Sequence, residues 1–196
     1  MIVIVDYGAG NLKSVKKALD HLGAEAMVTD QPAAVAAAAK IVFPGVGHFS
    51  ALRALDRTGL REALLQAASA GKPFLGICLG MQWLFEGSEE CVDLAGAGLF
   101  SGTCRQFPPS VKSPHVGWNS LTVRDGARLL RGIPQDSFVY YTHSFHAPLV
   151  AETTAASEYG LSFTGAVERD NIFGVQFHPE KSGDVGLSIL KNFCEV

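Results

Sequence analysis

The sequence predicts an α/β protein with a central, mostly parallel sheet flanked by helices and antiparallel strands in its second half. Three observations lead there. In the first half, short β-branched runs alternate with helix-prone stretches, the pattern of βαβ units. In the second half, strand-like segments follow one another across short turns, which favours antiparallel pairing. The chain has 196 residues, of which 47% are hydrophobic and 18% charged, and no Pro/Gly/Ser linker or repeat divides it, so residues 1–196 are read as one domain.

Ile2 to Val5 reads as a buried strand. Asn11 to Leu22 reads as a helix, with Leu12, Val15, Leu19 and Leu22 at spacings of three and four and Gly23 as its stop. Ala24 to Thr29 is a second strand. The alanine-rich stretch Gln31 to Ala39 is helix-prone and leads into a strand from Lys40 to Phe43, ended by Pro44 and Gly45. Pro73 to Ile77 is the next strand. Val116 to Val123, Ser137 to Tyr141, Thr153 to Glu158, Leu161 to Glu168 and Ile172 to Phe177 are strand-like, and Asp184 to Phe193 is a terminal helix. The segment from Phe107 to Pro114, with three prolines, is the least regular.

Composition narrows the function. Sixteen Lys and Arg against nineteen Asp and Glu give a net charge of −3, with no basic run to neutralise a row of phosphates, so nucleic-acid binding is disfavoured. Met1 to Val5 is too short and lacks the basic flank of a signal peptide. Phe74 to Phe85 is interrupted by Gln82 and falls short of the roughly 20 residues that cross a membrane. Cys78, Cys91, Cys104 and Cys194 form no CxxC pair, which argues against a disulfide framework or thiolate zinc site and fits reduced thiols in a cytoplasmic setting.

Three segments could carry chemistry. Gly76-Ile77-Cys78-Leu79-Gly80 follows a strand and precedes a helical stretch. In such an elbow the nucleophile sits in a strained turn, and glycines on both sides let strand and helix backbones approach. The start of the helix favours a thiolate at Cys78, and the Leu79 N–H becomes available to an oxyanion. A buried packing cysteine would fit the same turn. The second segment, Phe177-His178-Pro179-Glu180-Lys181, ends an apolar strand. Once proline bends the chain, Glu180 can hold the His178 imidazole in one tautomer, as a base for a thiol requires. A lone histidine at a strand end is otherwise an ordinary core or surface residue. Together the two segments match a nucleophile, base and orienter. The third, Pro44-Gly45-Val46-Gly47, can turn amides toward a small anionic centre, although by itself it is an ordinary turn. Asp6-Tyr7-Gly8-Ala9-Gly10-Asn11 is not a dinucleotide fingerprint, because Lys13 stands where the third glycine belongs.

Read together, Gly76-Ile77-Cys78-Leu79-Gly80-Met81-Gln82 and Phe177-His178-Pro179-Glu180 resemble the motifs of class I glutamine amidotransferases. The narrower resemblance is to those that serve histidine biosynthesis. It rests on Ile4 to Leu12, Pro44 to Gly47, Pro114-His115-Val116-Gly117-Trp118-Asn119 and Glu180-Lys181-Ser182-Gly183. Val116 replaces a more usual methionine, and Thr142-His143-Ser144-Phe145 is a variant of a His-Ser-Tyr stretch. The resemblance implies a flavodoxin-like fold over nearly the whole chain, with Cys78 as nucleophile, His178 as acid and base, and Glu180 as orienter. It implies Gly45, Val46, Gly47, Leu79 and Gln82 at the oxyanion and substrate site, no metal and no cofactor. It also implies L-glutamine as substrate and a separate cyclase subunit, a (β/α)₈ barrel, docked near Asn11, Trp118 and Lys181. Other readings are a glutaminase serving another synthase, such as that of pyridoxal phosphate, a cysteine peptidase or esterase, and a non-catalytic module.

Overall fold

The computed structural model describes all 196 residues. Its elements follow in chain order: β1 (Ile2–Val5), α1 (Leu12–His21), β2 (Ala26–Thr29), α2 (Pro32–Ala37), β3 (Lys40–Gly45), α3 (Arg53–Thr58), α4 (Leu60–Ser69), β4 (Phe74–Cys78) and α5 (Leu79–Trp83). The second half comprises β5 (Gly87–Ser88), β6 (Thr103–Gln106), β7 (His115–Val123), β8 (Ser137–His143), β9 (Phe145–His146), β10 (Thr153–Glu158), β11 (Ser162–Arg169), β12 (Ile172–Val175) and α6 (Gly183–Glu195). The nine-stranded sheet has the order β2-β1-β3-β4-β12-β11-β10-β7-β8. Its first five strands run parallel. From β12 onward each neighbour is antiparallel. A small sheet, β5-β6-β9, lies apart.

Side chains on successive strand positions point to opposite faces, so each apolar strand feeds two cores. Val3, Val5, Ile41 and Phe43 pack with Val35 of α2, Leu55 of α3 and Leu60, Leu64 and Ala67 of α4. Ile2, Ile4, Val42, Leu75 and Ile77 pack on the other face with Val15 and Leu19 of α1 and Ile189, Leu190 and Phe193 of α6. The sheet is therefore sandwiched between helical layers. No helix is long and apolar enough to cross a membrane.

Two differences from the sequence reading have local causes. β3 continues through Pro44 and Gly45, which pair with Ile77 and Cys78. Pro44 is tolerated there because β1 pairs with β3 only as far as Val42, so its missing N–H lies beyond that neighbour's ladder. Residues 49–69, which periodicity did not assign, form a 3₁₀ turn at Phe49–Leu52 followed by α3 and α4. Gly59, at φ +75°, splits the two helices and breaks the apolar repeat that would have revealed one longer helix.

The strand order brings the C-terminal ends of β3, β4 and β12 side by side, where Gly45, Cys78 and, three residues past the end of β12, His178 emerge. Open α/β sheets place their sites at this edge.

Candidate active site

Cys78 joins β4 to α5 at φ 55°, ψ −109°. That is a strained conformation for a non-glycine residue, of the kind retained where surrounding structure enforces it. The enforcement comes from two glycines. A Cβ on Gly76 would stand 2.6 Å from the Gly80 carbonyl oxygen, and one on Gly80 would stand 1.8 Å from the Phe43 carbonyl oxygen. Strand, elbow and helix thus touch through bare backbone. The thiol accepts a hydrogen bond from the Gln176 side-chain amide (3.7 Å) and donates a weak one to the Thr142 carbonyl (3.9 Å).

His178 and Glu180 have side chains that are each 1% exposed, and the imidazole Nδ1 lies 2.9 Å from Glu180 Oε1. Asn11 also donates to that oxygen, at 3.3 Å. With Nδ1 committed to the carboxylate, the other nitrogen, Nε2, is buried without a hydrogen-bond partner and is free to exchange a proton. Burial opposes charging the ring. The negative charge of a Cys78 thiolate, reinforced by Glu180, more than compensates and raises His178 to about 10. A negative charge on the sulfur therefore favours the protonated imidazole, which suits a nucleophile-base pair.

Beside the thiol lies a cavity of about 250 Å³, lined by Gly47, Cys78, Leu79, Gln82, Glu90, Pro114, Thr142, His143, Ser144 and Phe145. Gly47, at φ +93°, and Leu79, the first residue of α5, both line the cavity. The first N–H groups of a helix have no intrahelical acceptor. Gln82 lines it too, its amide donating to the Phe145 carbonyl (2.8 Å) and to Gln176 Oε1 (3.1 Å). Gly45 and Val46, expected in the same loop, are not on the cavity wall, although Gly45 pairs with Cys78 across β3 and β4 and Val46 adjoins Gly47. Gly45 instead accommodates close packing: a Cβ there would meet the Tyr7 hydroxyl at 2.4 Å and Leu79 Cβ at 2.8 Å. Its role is to let β3 reach the elbow.

Sequence reasoning missed Glu90 and Gln176. Glu90 accepts the Phe49 N–H at 2.7 Å and brings the cavity a carboxylate suited to an ammonium group. Gln176 is fully buried and ties the thiol to Gln82. Local pattern marks neither, since each contacts residues more than 40 positions away. No group of three or more His, Cys, Asp and Glu side chains is arranged to hold a metal ion.

The three residues expected at a partner surface lie around the triad. Asn11 touches Glu180. Trp118 is 55% exposed and packs edge-on against Tyr140 at 6.0 Å. Lys181 is exposed, with Nζ 5.7 Å from the Tyr140 ring centre. Cross-strand pairing sets Val116, Trp118, Phe138 and Tyr140 on one face of β7 and β8, and Val116 and Phe138 are as exposed as Trp118.

A buried thiol at an elbow, an imidazole bonded to a carboxylate and an amino-acid-sized cavity are the parts a cysteine-dependent amidase needs, and comparison with known proteins gives the family. The family profile Glutamine amidotransferase class-I matches residues 3–196, so the chain belongs to the class I glutamine amidotransferases. Within that class, it is 46% identical over 198 residues to the imidazole glycerol phosphate synthase subunit HisH of Methanothermobacter thermautotrophicus, covering 100% of this chain and 98% of the relative. It is 48% identical over 196 residues to the HisH subunit of Desulfitobacterium hafniense, covering 98% and 93%. A solved glutamine amidotransferase superposes over 100% of both chains, with a TM-score of 0.78 at 17% identity, a likeness of fold.

Proposed function

We propose that this chain is the glutaminase subunit of an imidazole glycerol phosphate synthase, with Cys78, His178 and Glu180 as its catalytic triad. The observation that carries this reading is the Cys78 thiol on the wall of a cavity that also holds the Glu90 carboxylate, with the His178-Glu180 pair electrostatically linked to that thiol. L-Glutamine fits that cavity with its ammonium toward Glu90 and its carboxamide toward Cys78.

The thiolate attacks the carboxamide carbon, and the carbonyl electron pair moves onto oxygen, which is stabilised by N–H groups at Leu79 and the Gly47 turn. Collapse expels ammonia as His178 Nε2 delivers a proton to the leaving nitrogen, leaving a γ-glutamyl thioester. His178 then takes a proton from water, whose oxygen attacks the thioester and releases glutamate and the thiolate. Glu180 keeps Nε2 directed at the reacting atoms throughout. The ammonia passes to a separate cyclase subunit with a (β/α)₈ barrel, which converts PRFAR into imidazole glycerol phosphate and AICAR. The exposed face formed by Val116, Trp118, Phe138 and Tyr140, continued by Lys181 and Asn11, is the docking surface for that subunit. A surface aromatic with an apolar surround is a typical interface anchor.

Cys78→Ala tests the reading. With the cyclase subunit bound, glutamine-dependent synthesis should vanish while synthesis from added ammonium salts continues, because the lost step precedes ammonia delivery. Loss of both in an assembled complex would refute the assignment.

A further inference from the structure

Behind the Thr142–Phe145 part of the cavity wall lies a buried imidazole pair. His115, on β7, and His143, at the end of β8, are 3% and 6% exposed, and His115 Nδ1 lies 3.0 Å from His143 Nε2. His143 Nδ1 lies 2.8 Å from the Phe145 carbonyl oxygen. A carbonyl only accepts, so Nδ1 of His143 carries its proton and Nε2 is left as an acceptor. His115 must then donate from Nδ1, which leaves its own Nε2 to accept from Asn119 Nδ2 at 3.5 Å. Asn119 is itself fixed, donating to the Glu158 carbonyl at 2.9 Å and accepting from the Ser120 N–H at 2.8 Å. The result is a chain of one polarity, Asn119 to His115 to His143 to the Phe145 carbonyl, in which each imidazole has a determined tautomer.

The surroundings keep this chain neutral. His115 is stacked between Tyr159 (4.0 Å) and Tyr141 (4.9 Å), and Phe107 packs edge-on against both imidazoles. The chain ends on the cavity wall, since His143, Ser144 and Phe145 all line it. The Phe145 carbonyl receives a second donor from Gln82, so the wall is held from two directions.

We propose that His115 is a positioning residue for glutamine, acting through His143 to hold the Thr142–Phe145 wall against the substrate. Its contribution is the directed Nδ1–H bond rather than the bulk of the ring. Loss of that donor leaves His143 Nε2 buried and unpaired, an expensive state that the wall relieves by moving. The inference rests on glutamine being the substrate.

Two variants separate the hydrogen bond from the packing. His115→Phe keeps a ring in the stack and removes the donor. His115→Asn removes the ring and places an amide N–H where Nδ1 stood. Ammonia release from L-glutamine is measured in the complex with the cyclase subunit, alongside alkylation of Cys78 by iodoacetamide, which reads the thiolate with no glutamine bound and touches the wall only through the weak 3.9 Å contact to the Thr142 carbonyl. We expect His115→Phe to raise KM for glutamine about tenfold or more, the scale of one lost buried hydrogen bond, with kcat and the alkylation rate near wild type. His115→Asn should bring KM back toward the wild-type value even though its melting temperature falls. A normal KM in His115→Phe, an equal rise in His115→Asn, or alkylation slowed in step with KM would overturn the proposal. Failure of the wild-type complex to release ammonia from glutamine would instead overturn the functional reading on which it rests.

Discussion

At the scale of single residues, the triad divides its work unequally. In the proposed mechanism His178 moves the proton in both halves of the reaction, so His178→Asn should slow glutamine hydrolysis by roughly 10² to 10⁴, the range for positioned acid-base groups. Glu180 acts on the orientation and charge of that ring through a 2.9 Å bond, and a neutral amide can still accept from Nδ1. Glu180→Gln should therefore cost less, and steady-state rates of the two variants side by side would show it. A larger loss in Glu180→Gln would require the roles to be rearranged. All three residues were legible in the sequence because each sits in a short local motif: glycines two residues either side of Cys78, and proline between His178 and Glu180. Glu90, Gln176 and the His115-His143 pair were not, because their meaning lies in contacts across the fold.

At the scale of elements, the elbow depends on β3, β4 and α5 touching without side chains. Gly80→Ala places a methyl group 1.8 Å from the Phe43 carbonyl oxygen, with backbone rather than a flexible side chain in the way. The variant should be severely destabilised, by about 3 kcal/mol or more, as overpacked sites are at the upper end, and thermal unfolding of the purified chain would measure it. The β7-β8 hairpin makes the opposite prediction. Trp118 lies mostly in solvent in the isolated subunit, so Trp118→Ala should leave its melting temperature within a degree or two, since surface substitutions are usually within about 0.5 kcal/mol. The same variant should weaken binding to the cyclase by about 2 kcal/mol or more, read by titration calorimetry. A large fall in the subunit's own stability would show Trp118 to be a packing residue. Helices α3 and α4 escaped the sequence reading because Gly59 interrupts their apolar spacing; α1, with an unbroken three-and-four pattern, did not.

For the molecule as a whole, buried histidines set the pH dependence of stability. Burial lowers His115 to about 4 and His143 to about 3, whereas an exposed histidine titrates near 6.5. Below pH 6.5 the unfolded chain takes up protons that the native chain refuses, so native stability falls as pH drops toward 4. Each histidine contributes at most about 1.4 kcal/mol per pH unit, which places the loss between pH 6.5 and 5 on the order of 2 to 4 kcal/mol. His178 has the opposite sign: raised to about 10, it adds stability below its unfolded value that disappears as pH rises through 10. Urea unfolding at pH 7 and pH 5 should show the acid loss, and His115→Phe should reduce it. An unchanged difference in that variant would show that His115 is not among the groups responsible.

The sequence by itself singled out the thiol at the elbow, the imidazole at the strand end and the carboxylate that bonds it, and that βαβ units precede an antiparallel half. These follow from local rules, since glycine at 76 and 80, the Pro-Glu pair after His178 and the spacing of apolar residues act within a few positions of one another. Only the tertiary structure decided that β12 inserts beside β4, and so that His178 meets Cys78. It also decided that Gly47 faces the cavity while Gly45 fills a packing contact, and that Trp118 stands in solvent while His115, three residues earlier, is sealed between two tyrosines. Those outcomes depend on which distant strands pair and which face of each strand meets a helical layer, and pairing across a hundred residues leaves no trace in any short window of sequence.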